Sequence, residues 1–251
     1  HAFAVYPLAT QAVGGVGVSV PAIGFGHDLK AMLKTAVEHK AKLVFIANPN
    51  NPTGTFLSGD ALLAFLRALP ADILVLLDEA YNEYLPVECR YDSVSWLKEF
   101  PNLIISRTFS KAYGLAGLRV GYAFADAQVA DMMNRVRQPF NVNSVAQAAG
   151  AAALQDADFV KRTFDLNLRG MKQVTDGLTG LGLGYIPSCG NFVSFRIADA
   201  ARVYRRLLEL GVIVRPVASY DMPDHLRVSI GLESENEKFL SALKQILGEK
   251  Q

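Results

Sequence analysis

The segment Lys42-Leu-Val-Phe-Ile-Ala-Asn-Pro-Asn-Asn-Pro-Thr-Gly54 joins a strand to a loop of fixed shape. Its apolar part, Leu43 to Ala47, is as long as one buried strand and much too short to span a bilayer. The two prolines and the glycine in residues 48–54 exclude regular structure, so a shaped polar loop must follow the strand. This order, a strand and then polar side chains, is the basis of the predicted fold.

Two further apolar runs repeat this order. Ile73 to Leu77 ends at Asp78, and Leu103 to Ser106 leads into Arg107-Thr-Phe-Ser-Lys111. Helical patterns lie between the runs. Strands that alternate with helices over about residues 28–155 predict an α/β fold, in which helices sandwich a mostly parallel sheet.

Polar residues that can accept backbone N–H groups mark the predicted starts of several helices. Asp28, Ser58 and Asp199 each stand directly before a segment of helical periodicity and are predicted to be N-caps. Ser234 and Glu237 have the spacing of a capping box, which predicts the start of the last helix.

The C-terminal part of the chain has a different pattern. Phe192 to Ile197 alternates as a half-buried strand, and further short strands are predicted at residues 212–215 and 226–230. We therefore predict a large domain over residues 1–155, followed by a connector helix and a smaller α+β domain over residues 156–251.

The charge balance excludes partners that recognise a strong net field. Lysine and arginine (25) nearly equal aspartate and glutamate (24), so we expect neither a nucleic-acid nor a membrane partner. Cys89 and Cys189 are isolated and match no metal-ligand or redox spacing. We therefore expect no metal site, and a soluble protein in a reducing cytoplasm.

Lys111 follows a predicted buried strand, where apolar walls disfavour a charged amine. An amine with a lowered pKa can attack an aldehyde cofactor and can afterwards carry protons. Eight residues further on, Arg119 offers a fixed charge that suits a phosphate, and the hydroxyls of Thr108 and Ser110 add hydrogen-bond donors. Together they predict a phosphate-binding site beside a reactive amine.

Asp78 follows five apolar residues, and a carboxylate in such a place requires a cation or several donors. A protonated ring nitrogen would be such a cation, and the ring could then accept the electrons released when a substrate Cα loses its proton. Tyr81 could place its hydroxyl near a phenolic oxygen of that ring, and Asn51 could donate to it from the proline-bounded loop. Because ligands of open α/β sheets bind beyond the carboxyl ends of strands, we expect the three polar segments to converge.

Each of these residues also has an ordinary interpretation when it is taken alone. Most lysines are solvated surface charges, Arg119 could form a structural ion pair, and Asp78 could cap a short helix. The hydroxyl and amide side chains could be turn residues, and the tyrosine could be packed in the core. A nicotinamide site is excluded, because Gly14-Gly-Val-Gly17 lacks the following glycine and the strand-turn-helix setting.

Read in order, these residues resemble the class I/II aminotransferases of the fold-type-I pyridoxal-phosphate family. The matching segments are Asn50-Asn51-Pro-Thr-Gly54, Asp78-Glu-Ala-Tyr81 and Arg107-Thr-Phe-Ser-Lys-Ala-Tyr-Gly-Leu-Ala-Gly-Leu-Arg-Val-Gly-Tyr122, which cover most of the N-terminal half. The resemblance implies a pyridoxal 5'-phosphate cofactor and ping-pong transamination between a small-molecule amino donor and a 2-oxo acid. It also implies a homodimer.

The resemblance assigns a role to each matching position. Lys111 would bind the cofactor covalently and transfer the proton of the substrate. The other cofactor-binding residues would be Phe3 against the ring face, Asn51 and Tyr81 at the phenolic oxygen, Asp78 at the ring nitrogen, and Thr108, Ser110 and Arg119 at the phosphate. Arg227 would bind the anionic group of the substrate, and Arg215 is a candidate for a second anion contact.

Within the family, the sequence is most similar to the histidinol-phosphate aminotransferases, which transfer an amino group between L-histidinol phosphate and 2-oxoglutarate in histidine biosynthesis. Aromatic-amino-acid aminotransferases share nearly the same motifs and remain an alternative. The segments that carry this similarity are Phe3-Ala-Val-Tyr6, Arg137-Gln-Pro-Phe-Asn-Val-Asn143, Ala146-Gln147-Ala148, Gly190-Asn-Phe192, Val214-Arg-Pro216 and Leu226-Arg227.

The start of the sequence departs from the family pattern. Members normally carry an N-terminal arm and a glycine-containing loop before the position of Phe3, and His1 to Tyr6 has the pattern of a strand-and-loop interior. We therefore expect a chain that lacks its N-terminal segment. A catalytically inert fragment, and a decarboxylase on the same scaffold, remain further alternatives.

Overall fold

The computed structural model describes residues 1–249, which form two β-sheets and the helices packed on them. None of the helices in these residues combines the length and the apolar character needed to cross a membrane. The α-helices are α1 (Val5–Ala12), α2 (Leu29–Glu38), α3 (Gly59–Ala68), α4 (Ala127–Val136), α5 (Ser144–Gln155), α6 (Ala157–Gly180), α7 (Ala200–Glu209) and α8 (Glu233–Gly248).

The first sheet is mostly parallel, as the sequence predicted. Its strands are β1 (Leu43–Ala47), β2 (Leu74–Asp78), β3 (Leu103–Thr108) and β4 (Gly121–Ala125), in the spatial order β1-β2-β3-β4. The first three are parallel, and β4 is antiparallel to β3. The antiparallel edge strand was not predicted. The α/β fold class is confirmed.

The core of the first sheet explains the continuous apolar runs. A parallel sheet covered by helices buries both faces of its strands, so little alternation is required in the sequence. Ile46, Val75 and Leu77 are each about 1% exposed, and they pack with Leu62 and Phe65 of α3. Full burial of such a side chain contributes roughly 1.5–3 kcal/mol.

The second sheet is antiparallel and confirms the predicted α+β character of the C-terminal part. Its strands are β5 (Tyr185–Ile186), β6 (Phe192–Arg196), β7 (Arg215–Pro216) and β8 (His225–Ser229), in the order β5-β6-β8-β7. Helices α6, α7 and α8 pack on this sheet around a core that includes Phe195, Leu207 and Leu243. The division into domains at residues 155 and 156 stays a prediction.

Three of the predicted helix caps are present, and one is wrong. The carboxylate of Asp28, the hydroxyl of Ser58 and the carboxylate of Asp199 each accept the backbone N–H three residues further on. Helix α8, however, begins at Glu233, where the carboxylate of Glu235 accepts the backbone N–H of Leu232 at 2.8 Å. The predicted capping box at Ser234 and Glu237 is wrong because the residue that precedes the helix is apolar.

The prediction of strand and loop for His1 to Tyr6 is also wrong, because helix α1 begins at Val5. No side chain caps this helix. It is instead attached to the protein by Tyr6, which is 8% exposed and whose ring stacks on Phe45 of β1 at a centroid distance of 4.8 Å. A tertiary aromatic contact thus replaces the local start signal that sequence analysis looks for.

The loop after β1 joins the two sheets. The hydroxyl of Ser194 in β6 donates to the carbonyl oxygen of Pro52 at 2.6 Å, and the N–H of Cys189 donates to the carbonyl oxygen of Gly54 at 2.9 Å. Gly54 has a φ of +78°, and a Cβ atom added there would lie 2.8 Å from Cα of Ser188. Residue 54 must therefore be a glycine for both conformational and steric reasons.

We expect Gly54→Ala to lower the free energy of unfolding by roughly 2–4 kcal/mol, because it combines left-handed strain with overlap against backbone. Gly182→Ala is the matched control, since Gly182 has a φ of +72° and nothing within 4 Å of an added Cβ atom. Gly182→Ala should lower the free energy of unfolding by about 1 kcal/mol, because it introduces only the left-handed strain. Urea denaturation measures both, and equal losses in the two variants would contradict the close approach of Ser188.

Candidate active site

Polar segments follow the carboxyl ends of three adjacent strands. In the register of the sheet, Ala47 of β1 lies opposite Asp78 of β2, and Asp78 lies opposite Ser106 of β3. Residues 48–54, 78–81 and 108–111 therefore meet at one edge of the sheet, as predicted from the order of strands and polar residues.

The amine of Lys111 lies at this edge, with Nζ 5.4 Å from the centroid of the Tyr81 ring. The side chain is accessible to solvent, but the surrounding protein partly desolvates the amine. This desolvation lowers the pKa of Lys111, and the positive charges of Arg227 and Arg119 lower it further. The carboxylate of Asp78 acts in the opposite direction. A fraction of neutral, nucleophilic amine is thus favoured.

The carboxylate of Asp78 is half-buried and is held at both oxygens. Its Oδ1 accepts the backbone N–H of Ala80 at 3.1 Å, and its Oδ2 accepts the hydroxyl of Tyr6 at 2.7 Å. Sequence reasoning missed the second contact, because residues 6 and 78 are distant in the chain. The only indication in the sequence was that Tyr6 belongs to Phe3-Ala-Val-Tyr6, a segment that begins with a predicted cofactor-binding residue.

Tyr81 and Asn51 both interact with Arg227. Burial raises the pKa of Tyr81 to about 12, although the charge of Arg227 lowers it, so the phenol remains a hydrogen-bond donor at neutral pH. The Tyr81 ring meets the ring of Phe192 edge-on at 5.2 Å. Asn51 is 8% exposed, and its Oδ1 accepts a hydrogen bond from Nη1 of Arg227. This amide-guanidinium contact connects the loop after β1 with the second sheet.

Arg227 occupies the middle of β8 and is the charge that the second sheet contributes to the site. Its guanidinium carbon lies 5.0 Å from the centroid of the Phe192 ring. Its Nε is buried and has no hydrogen-bond partner among residues 1–249. Burial lowers the pKa of Arg227. Arg215 pairs with Arg227 across the sheet but is exposed, so it lies towards the rim.

The predicted phosphate-binding residues surround Lys111 in the chain. Thr108 ends β3, and its Oγ1 accepts the backbone N–H of Ser110 at 3.0 Å. Arg119 is exposed, has a left-handed backbone with a φ of +54°, and donates from Nη1 to the carbonyl oxygen of Ala116 at 2.8 Å. Left-handed conformations of residues other than glycine are uncommon and strained, and they are enriched at functional sites.

Phe3 lies beside Tyr6, whose hydroxyl binds Asp78. It is half-buried and meets the ring of Tyr6 edge-on at 5.8 Å.

An ion pair that sequence reasoning also missed lies next to the site. Oε2 of the fully buried Glu79 accepts hydrogen bonds from Nε and Nη2 of Arg107 at 2.9 and 2.8 Å. This pair joins the end of β2, where Asp78 lies, to the end of β3, which leads to Lys111.

The structure thus gathers the predicted residues in one region, with Arg215 exposed across from Arg227 and Phe3 against Tyr6. Their roles toward a cofactor or substrate stay predictions.

Because two arginines lower the pKa of Lys111, removing either positive charge should raise it. We expect Arg119→Gln and Arg227→Gln each to move the pH dependence of Lys111 modification upwards. Trace acetylation of the protein over a range of pH, read by mass spectrometry, measures this dependence. Arg67→Gln is the control, since Arg67 pairs with Glu99 on the surface. An unchanged Lys111 profile in both site variants would contradict the described electrostatics.

Comparison with known proteins identifies the family. Residues 2–243 match the family described as aminotransferase class I and II. A histidinol-phosphate aminotransferase of Methylobacillus flagellatus is 66% identical over 98% of the chain and 67% of its own length. A second, of Nitrosospira multiformis, is 60% identical over 97% of the chain and 62% of its own length.

The chain therefore spans about two thirds of the length of these curated relatives. Among solved structures, the histidinol-phosphate aminotransferase of Sinorhizobium meliloti in complex with pyridoxal-5'-phosphate is similar with a TM-score of 0.91. It is 30% identical and is matched over 98% of this chain and 68% of its own. The chain belongs to the class I and II aminotransferases.

Proposed function

We propose that the protein transfers an amino group between L-histidinol phosphate and 2-oxoglutarate, with pyridoxal 5'-phosphate as its cofactor, in histidine biosynthesis. The observation that carries the proposal is the position of the Lys111 amine, which shares one strand-end site with the carboxylate of Asp78 and the guanidinium groups of Arg119 and Arg227. The names of the relatives support this choice of substrate.

The residues of the site fit this cofactor in charge and in hydrogen-bonding capacity. A phosphate requires cations and donors, which Arg119, Thr108 and Ser110 offer within eight residues of Lys111. A protonated ring nitrogen requires an acceptor, and each oxygen of the Asp78 carboxylate has a lone pair left after the contacts described above. Tyr81 and Asn51 complete the set with groups that can bond a phenolic oxygen.

When bound, pyridoxal phosphate supplies an aldehyde carbon for the amino group and a ring that accepts electrons from the substrate Cα. The amine of Lys111 would hold the cofactor at that carbon and, when released by a substrate amine, would accept and return the proton of the substrate Cα. Asp78 would accept a hydrogen bond from the protonated ring nitrogen, and Arg119 would bind the phosphate. The protein therefore contributes a proton carrier, a fixed negative charge and an anchor.

Arg227 is the proposed binding group for the anionic end of the substrate. Its buried Nε has no hydrogen-bond partner among the described residues, and its positive charge is paired only with the neutral amide of Asn51. A carboxylate or phosphate would accept a hydrogen bond from Nε and would also neutralise the charge. Arg215, its cross-strand neighbour, would add a second positive charge for a substrate that carries two anionic groups.

The wider assignment is also a proposal. We propose that residues 1–155 form the cofactor-binding domain and residues 156–251 the connector helix and small domain, and that the protein acts as a cytoplasmic homodimer. Its partners would be the amino donor and the 2-oxo acid, both small molecules.

Borohydride reduction of the protein mixed with pyridoxal phosphate should leave the cofactor covalently linked at residue 111, and Lys111→Ala should abolish this linkage, because the variant has no amine at the site. Lys161→Ala is the control, since Lys161 is an exposed lysine of α6 that pairs with Asp165. Peptide mapping after the reduction identifies the linked residue. The same amount of trapped cofactor in Lys111→Ala as in the unaltered protein would reject the assignment of this lysine.

Steady-state kinetics should give a higher kcat/KM for histidinol phosphate than for phenylalanine or tyrosine, with formation of the corresponding oxo product. Arg227→Gln should lower kcat/KM by roughly 100-fold, as expected when a buried charge pair with the substrate is lost. Preference for the aromatic amino acids would favour an aromatic aminotransferase, and release of carbon dioxide would favour a decarboxylase.

A further inference from the structure

Tyr6 makes a hydrogen bond to Asp78 that has no assigned role in the proposed reaction. Its hydroxyl donates to Oδ2 of Asp78 at 2.7 Å, across a separation of 72 residues. The other oxygen of the carboxylate accepts the backbone N–H of Ala80 at 3.1 Å. Two donors from different directions thus fix the plane of the carboxylate, while each oxygen keeps one lone pair for another donor.

The position of the Tyr6 ring is itself fixed by packing. The ring is nearly parallel to that of Phe45, with 15° between the planes and 4.8 Å between the centroids. On another side it meets the ring of Phe3. Tyr6 is the only buried residue of α1, whose neighbouring Val5 and Leu8 are exposed. The hydroxyl is therefore held at Asp78 by β1 and cannot easily turn to another acceptor.

The electrostatic surroundings keep this hydroxyl protonated. Burial raises the pKa of Tyr6 far above its usual value, and the negative charge of Asp78 raises it further. Tyr6 is thus protonated and able to donate at neutral pH. Hydrogen bonds to a charged acceptor are about twice as strong as those between neutral groups.

We propose that Tyr6 is a positioning residue, whose hydroxyl orients the Asp78 carboxylate toward the protonated ring nitrogen of the cofactor. This inference rests on the proposed function, because it requires that Asp78 bind that nitrogen. It gives α1 a role in the site: the helix carries Tyr6 to Asp78 and, through the same ring, supports Phe3, which precedes the helix. Without the hydroxyl, the carboxylate would keep only the donor from Ala80.

The test is a double-mutant cycle on cofactor affinity, with Tyr6→Phe, Asp78→Asn and the double variant. Tyr6→Phe keeps the ring and removes only the hydroxyl. We expect it to weaken pyridoxal-phosphate binding about tenfold in the presence of Asp78, the loss typical of one hydrogen bond to a charged group. In the Asp78→Asn background the same change should alter the affinity less than about twofold.

Tyr84→Phe is the matched control, because Tyr84 is 6% exposed, compared with 8% for Tyr6, and none of its described hydrogen bonds involves Asp78. It should bind the cofactor as the unaltered protein does. A second readout is the pH midpoint at which the absorption of the bound cofactor changes. This midpoint should rise in Tyr6→Phe, since a poorly oriented Asp78 leaves less positive charge on the ring, and should not move in Tyr84→Phe.

The outcomes separate the two proposals. If the unaltered protein does not bind pyridoxal phosphate, the proposed function and this inference both fail. If it binds, but Tyr6→Phe weakens binding equally with Asp78 and with Asn at position 78, or leaves affinity and midpoint unchanged, only the role of Tyr6 is overturned. Equal effects in Tyr84→Phe would assign the loss to general packing and would also overturn it.

Discussion

A carboxylate at the end of a buried parallel strand must be paired with hydrogen-bond donors or with a cation, because burying an unpaired charge costs free energy. Asp78 occupies this place in the middle of the first sheet, and the site is arranged around it. The backbone of Ala80 and the hydroxyl of Tyr6 bind its two oxygens, and the amine of Lys111 lies within its electrostatic influence. The proposed ring nitrogen would complete this set.

The sequence predicted those features of the fold and the site that depend on residues close together in the chain. Continuous apolar runs predicted the three parallel strands, because both faces of such strands are buried. The polar residues directly after them predicted the position of the site, because strand ends in a parallel sheet meet at one edge. The caps at Asp28, Ser58 and Asp199 followed from an interaction that spans only three residues.

The features that the sequence did not reveal depend on residues distant in the chain. Helix α1 has no cap and is attached by the stacking of Tyr6 on Phe45, so its start left no local signal. The hydrogen bond from Tyr6 to Asp78, and the one from Arg227 to Asn51, join segments 72 and 176 residues apart. The start of α8 was misplaced because Leu232 precedes it, where the rule expects a polar residue.

The central claim is that Lys111, Asp78 and Arg119 bind three different parts of one phosphorylated pyridine. A crystal structure of the protein with pyridoxal phosphate tests it most directly. The account predicts continuous electron density from Nζ of Lys111 to the cofactor, with the ring nitrogen at Asp78 and the phosphate at Arg119. Density for the cofactor elsewhere, or a ring nitrogen directed away from Asp78, would contradict the account.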